Sequence, residues 1–303
     1  MITDNLYNKL NSYLPEEEII KIKQAFKFAN KAHRGQKRKS GHDFIVHPVE
    51  VAYHLARLEL EPNVIVAGLL HDVIEDTNTT NKEIEKKFGM EVSKLVSSLT
   101  KLNITEDNIN EHVEKKNLRN FLVSMAEDVR VAIIKLADRL HNVETLQYLD
   151  KEKREKIAKE TLSIHAPIAE KIGMNDFKWR LEDESFKYLM PNEFKLTSRL
   201  IKQKREEREI ATKTMISQIE AKLNKENISV SVSGRPKHLF SVHNKLQRYK
   251  QLGRNFSDIE DLIAIRIIVK DTKECYLVLG IIHELWRPVT GSFDDYISSP
   301  KDN

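Results

Sequence analysis

The chain has 303 residues, enough for about two domains with cores of their own. Its 50 Lys and Arg against 46 Asp and Glu leave a formal net charge of +4, which argues against bulk nucleic-acid binding and permits local basic pockets for phosphate. The single cysteine, Cys275, excludes an internal disulfide and fits a reducing compartment, and no apolar stretch or leader pattern marks membrane insertion or export, so a soluble, cytoplasmic protein is expected.

Residues 16–33 carry Ile19, Ile22, Phe26 and Ala29 near helical spacing and read as an amphipathic helix ahead of His33. Arg34, Lys37, Arg38 and Lys39 then cluster around Gly35 and Gly41 in a segment with loop character. A basic loop is ordinarily a solvated surface, but this one directly precedes His47, so its charge can reach a polyanion there. His42 reads as an exposed loop residue. After Pro48 a helix runs through Val49, Val51, Ala52, Leu55 and Leu58, and its His54 is given no role.

Residues 64–77 read as one buried helix, with Val64, Ile65, Val66, Leu69, Leu70, Val73 and Ile74 covering most of its circumference. It nevertheless carries His71, Asp72, Glu75 and Asp76, and carboxylates in such a setting are normally paired, protonated or bound to a cation. Four-residue spacing places Glu75 one turn beyond His71 and Asp76 one turn beyond Asp72, so the acidic groups are expected to project past the His-Asp pair into one cavity. Thr80 to Glu83 has the spacing of a capping box, opening a short helix that stops near Gly89, and Val92, Leu95, Val96 and Leu99 mark the next helix. The polar run 103–116 reads as a mobile loop.

Helical periodicity returns over 117–149, and Asp138 lies on a largely apolar stretch, with Asn142 and Thr145 about one and two turns onward on a side it can share with a ligand. Together with His47, His71 and Asp72 this makes two imidazoles and two carboxylates available, a donor set suited to Mn²⁺, Fe²⁺ or a similar divalent ion. The competing reading is core histidines with buried salt bridges, and for Asp138 an ion pair with Lys135 or Arg139. Residues 151–190 form further helices, Trp179, Leu181, Phe186 and Tyr188 giving a packing surface before Pro191, and 193–226 carries a long charged helical pattern. The texture then changes to an alternating strand (Ile228, Val230, Val232), a basic turn and helix start over 234–245, a β-branched strand over 261–269 and a helix over 275–286. A basic turn and helix start between two strands, with Asp261 opening the second, is a reasonable nucleoside triphosphate and Mg²⁺ site.

The order His47, His71-Asp72, Asp138 resembles the HD superfamily of metal-dependent phosphohydrolases. More narrowly, Gly-Gln-Lys-Arg-Lys-Ser-Gly at 35–41, His-Asp-Val-Ile-Glu-Asp-Thr at 71–77 and Ile-Lys-Leu-Ala-Asp-Arg-Leu-His-Asn at 134–142 resemble the RelA/SpoT homologue family, which hydrolyses and makes the alarmone (p)ppGpp. The likeness runs through essentially the whole chain. It implies a mainly α protein: an all-helical HD-type metal phosphohydrolase domain over 1–150, connecting helices over 151–195, and a partial α/β nucleotidyltransferase-like synthetase domain over 196–303. His47, His71, Asp72 and Asp138 are the expected ligands, with Mn²⁺ the expected ion, and Glu75 and Asp76 the expected catalytic carboxylates.

The resemblance further implies nucleotide contacts from Arg38, which would stack on the base, and from Lys39, Ser40, Asn142 and Thr145. Arg235, Lys237, His238, Ser241 and Lys245 match an ATP-facing motif and Asp261 a Mg²⁺ ligand, with Mg²⁺ expected only where that half binds nucleotide. The chain departs from the pattern at His42-Asp43-Phe44, at Glu144, where relatives commonly have Arg, and at Ser292-Phe-Asp-Asp295. It ends at Asn303, ahead of the segment that receives the guanine nucleotide, so hydrolysis without pyrophosphate transfer is expected, with an open sheet edge in the second domain. The implied reaction is release of pyrophosphate from the 3′ position of ppGpp or pppGpp; no membrane, direct DNA or ribosome partner is expected, and homodimerisation stays open. The alternatives are a bifunctional synthetase/hydrolase if the native chain is longer, HD chemistry on another nucleotide, or a nucleotide sensor with a silent HD site.

Overall fold

The computed structural model describes residues 2–103, 121–123, 125–203, 205–236, 238–253 and 263–300. The chain forms two compact units, Met1–Leu189 and Met190–Asn303. The first opens with α1 (Ile2–Asn11), α2 (Glu16–Ala32) and α3 (Val46–Arg57). Three glutamates at the start of α2 complement the positive end of its dipole, and Ile19, Ile22, Ala25 and Ala29 form its buried stripe. Helix α4 (Pro62–Leu70) is the centre of the unit: Pro62 suits its first turn, every residue from Val64 to Leu70 is buried, and α2, α3 and α7 (Met90–Asn103) pack around it. Each of its larger apolar side chains contributes about 1.5–3 kcal/mol by burial. Gly68 lets α3 come close, since a Cβ there would lie 2.5 Å from Leu55 Cδ1.

The helix expected over 64–77 is two elements. After α4 the chain turns at His71 and Asp72 before the single turn of α5 (Val73–Asp76). The His71 ring sits with Nδ1 2.8 Å from the Gly68 carbonyl oxygen, taking up a main-chain acceptor at the end of α4, and Asp72 relaxes to φ −94°, ψ −5°. The chain then nears the surface, so that Asp72 is half-buried and Glu75 and Asp76 are exposed.

Helix α6 (Asn81–Phe88) has the predicted capping box: Glu83 N donates to the Thr80 hydroxyl, Thr80 N donates to Glu83 Oε2, and Gly89 at φ +96° ends the helix. All but the first residue of the polar run 103–116 falls outside the described residues. Helix α8 (Val129–Glu144) is capped by Asp128 and buried around most of its circumference, Lys135, Asp138, Arg139 and His141 included. Then come α9 (Lys151–Glu160), a π turn (Thr161–His165), α10 (Ala166–Lys171) and α11 (Asn175–Leu189), which packs buried Leu181 and Phe186 inward and lies against α8. The helices read as connectors therefore belong, as far as Leu189, to the first unit.

The second unit contains α12 (Pro191–Gln203), α13 (Arg205–Lys225), β1 (Ser231–Pro236), α14 (Leu239–Gln251), β2 (Ile263–Ile268) and α15 (Thr272–Leu285). Strands β1 and β2 pair antiparallel, Ser231 opposite Ile268 and Pro236 opposite Ile263. Val232, Ile265 and Ile267 pack with Ile219 and Leu223 of α13 and Val278 and Ile281 of α15. Among the described residues the sheet has two strands, in keeping with a partial α/β domain. No helix of the described residues is long and apolar enough to cross a membrane.

Candidate metal centre and nucleotide contacts

Three elements of the first unit bring the expected ligands together: His47 from the first turn of α3, His71 and Asp72 from the turn between α4 and α5, and Asp138 from the middle of α8. His47, His71 and Asp138 are 2%, 1% and 4% exposed, and their ligand atoms all lie within 4.8 Å of one another. The two Nε2 atoms are 3.2 Å apart; Asp138 Oδ1 is 3.2 Å from that of His47 and 3.8 Å from that of His71. Asp72 reaches the same nitrogens with different oxygens, Oδ1 at 3.1 Å from His71 and Oδ2 at 3.5 Å from His47. Because a ring nitrogen beside a carbonyl oxygen must carry a proton, His71 Nδ1 donates to Gly68, which leaves Nε2 as the nitrogen facing the centre.

The electrostatics follow from burial and crowding. Burial lowers the His47 pKa, its effect exceeding the pull of Asp138 and Asp72. Burial also opposes charge on His71, but Asp72 and Asp138 outweigh it and push the pKa up to about 9. Asp138 overcomes its own burial through Lys135 and the two histidines and is held well below the usual carboxylate range. Asp72 is lowered despite its burial, chiefly by His71. Two imidazole nitrogens and carboxylate oxygens converging in a buried space, with second partners orienting them, are the donor chemistry of a divalent cation site, and the residues fit one.

An ion pair with Lys135 leaves the second oxygen of Asp138 turned to the histidines. Lys135 Nζ lies 3.0 Å from Oδ2, while Oδ1 turns to the histidines and accepts from Asn142 Nδ2 at 2.7 Å. Arg139 instead pairs with Glu160 at 3.1 Å. The Asn142 amide oxygen accepts from Arg38 Nη2 at 2.9 Å, and the Arg38 guanidinium lies 5.8 Å from the Phe44 ring centroid. Arg38 is thus joined through one amide to the buried Asp138. Lys39 is exposed and Ser40 half-buried on the same loop, which Gly35 and Gly41 enter and leave at φ +84° and +83°. The Thr145 hydroxyl lies 3.0 Å from the His141 carbonyl oxygen and 3.2 Å from that of Asn142, closing the last turn of α8. Gln36 Nε2 donates to the Asp76 carbonyl at 2.6 Å and its Oε1 lies 2.8 Å from His33 Nδ1, tying the basic loop to the carboxylate-bearing turn.

His141 is the residue of the centre that sequence reading passed over. Its Nδ1 lies 2.6 Å from His47 Nδ1, and burial, with His47 and Arg38 nearby, lowers its pKa to about 3. The signal was present: Lys135, Asp138, His141, Asn142 and Thr145 lie three or four apart along one helix face. His42 is exposed, as read. His54, given no role, is buried with Nε2 3.0 Å from Glu144 Oε2, and Glu144 also pairs with Arg180 of α11. In the second unit His238 stands at the N-cap of α14, with Ser241 and Lys245 three and seven residues on. Lys237 and Asp261 lie outside the described residues, as does the side chain of Arg235 on β1.

A helical unit in which a histidine, a His-Asp pair and a later aspartate converge from three elements defines an HD-domain protein, and residues 25–175 match the HD domain model. Residues 234–303 match the region found in RelA/SpoT proteins. The chain is 42% identical over 297 residues to a GTP pyrophosphokinase of Myxococcus xanthus, covering 97% of this chain and 39% of that protein. It is 40% identical over 300 residues to the bifunctional (p)ppGpp synthase/hydrolase SpoT of Escherichia coli, covering 99% and 42%. A guanosine-3′,5′-bis(diphosphate) 3′-pyrophosphohydrolase of Aquifex aeolicus is 43% identical over 296 residues, covering 97% and 42%. The chain belongs to the RelA/SpoT family, and it spans about two fifths of the length of these relatives.

Proposed function

We propose that the chain is a metal-dependent hydrolase that removes the 3′-pyrophosphate of ppGpp or pppGpp to give GDP or GTP, acting in the cytoplasm. The observation that carries this is the convergence of His47, His71 and Asp138, with Asp72 against both imidazoles, in the HD-domain unit. The name of the Aquifex aeolicus relative supports the choice of substrate. His47, His71, Asp72 and Asp138 hold the ion, for which Mn²⁺ suits the mixed nitrogen and oxygen donors. A divalent cation there supplies positive charge to the phosphate and lowers the pKa of a water.

The chain's own groups do the rest. Arg38, Lys39, Ser40, Asn142 and Thr145 receive the nucleotide. In the reaction a water oxygen bonds to the phosphorus attached to O3′, the P–O3′ bond breaks, and a proton passes to O3′. Glu75 and Asp76, on the exposed turn just past the His-Asp pair, orient the water, take its proton and return one to the departing oxygen. Lys135 and Asn142 keep Asp138 in place during this exchange.

The test is hydrolysis of ppGpp by the purified chain with Mn²⁺, with a chelator control and the Asp72→Ala and Glu75→Ala variants, the products being resolved chromatographically. Metal-dependent formation of GDP and pyrophosphate, lost in both variants, is expected. Tight ppGpp binding with no turnover would replace this reading with a nucleotide sensor.

A further inference from the structure

His141 touches the metal centre without being one of its ligands. It is 7% exposed, sits on α8 one turn beyond Asp138, and its ring centroid is 4.9 Å from that of His47. The two Nδ1 atoms, 2.6 Å apart, share one proton, because none would set two lone pairs against each other and two would clash. A neutral imidazole carries a single N–H, so the owner of that proton decides what the far side of His47 can do. With the proton on His141, His47 would carry its own hydrogen on Nε2, the atom 3.2 Å from both His71 Nε2 and Asp138 Oδ1, and would have no lone pair for an ion.

We propose that His141 is a positioning residue that accepts the Nδ1 proton of His47 and so fixes His47 in the tautomer whose Nε2 faces the metal centre. His71 shows the same arrangement with the Gly68 carbonyl, which can only accept. His141 is the side-chain counterpart of that carbonyl. The inference rests on the metal-centre reading above, and its test separates the two.

Mn²⁺ alone is titrated into the full chain, and free ion is read by electron paramagnetic resonance, for the unaltered protein and for His47→Ala, His141→Leu and His141→Asn. His141→Leu removes the acceptor and is expected to weaken Mn²⁺ binding about 10–100-fold, the range typical of lost outer partners of metal ligands. His141→Asn returns an acceptor oxygen and is expected to recover most of the loss. Unchanged affinity in His141→Leu, or an equal loss in His141→Asn, overturns the proposal while a loss in His47→Ala leaves the metal centre standing. No Mn²⁺ binding by the unaltered chain overturns both. A second measurement needs no variant to fold: nitrogen NMR of the histidine-labelled, Zn²⁺-loaded protein should show protons on His47 Nδ1 and His141 Nε2. The reverse assignment overturns the proposal.

Discussion

Asp138 is held from both of its oxygens, and the two grips are separable by substitution. Lys135→Met removes the buried partner of Oδ2, leaving His71 to balance the charge, and should destabilise the metal-free protein by about 3 kcal/mol, the lower end for breaking a buried pair. Urea unfolding in the presence of chelator measures this, and a loss below about 1 kcal/mol would show that Lys135 does not hold the aspartate. Asn142→Ala should weaken both Mn²⁺ and ppGpp binding, because its amide touches Asp138 and Arg38 at once; Arg38→Ala should weaken ppGpp binding with little effect on the metal. Direct titrations with each ligand distinguish the patterns. The candidate ligands His47, His71, Asp72 and Asp138 were legible because histidine and aspartate in apolar stretches contradict their surroundings. His141 and Lys135 were less so: a sequence shows that they share a face with Asp138 but not which atom each meets.

Elements carry the second set of consequences. Helix α8 begins at a knot in which Arg130 pairs with Asp128 at 2.8 Å and also with Glu61 and Glu91, joining it to the starts of α4 and α7. The hydrogen bonds from Arg130 lower the pKa of both Asp128 and Glu91. A carboxylate whose folded pKa is depressed adds stability that is complete above its ordinary value near about 4 and is lost as pH falls through the lower folded value. Thermal melts from about pH 5 downward should therefore fall less steeply in Arg130→Met than in the unaltered chain. In the packing of α4 on α3, Gly68→Ala should cost about 1–3 kcal/mol through the clash with Leu55, measured by urea unfolding. The capping box of α6 could be read from Thr80 and Glu83 because both halves of the motif are local. The break between α4 and α5 could not, since apolar spacing continues through Val73 and Ile74 and does not register a histidine ring competing for a carbonyl.

At the scale of the whole molecule, the proposed ion binds one unit. Saturating Mn²⁺ at a hundred times its dissociation constant adds about 2.7 kcal/mol to the state that binds it. Hydrogen exchange should accordingly slow in α4 and α8 on adding Mn²⁺ and remain unchanged in 190–303; slowing across both units would show that the second is coupled to the site. The change from helical to alternating pattern after Ile228 announced a second fold, whereas the boundary at Leu189 was hidden because amphipathic helices continue across it. The partnership of His54, Glu144 and Arg180 has a consequence for recombination within the family. These positions lie on α3, α8 and α11, so a crossover after residue 144 takes them from different parents. A parent contributing arginine at 144 would set two guanidinium groups against each other beside an imidazole. Chimeras that join an arginine at 144 to Arg180 should therefore melt at a lower temperature than either parent, which ties the three positions together although nothing in the sequence puts them side by side.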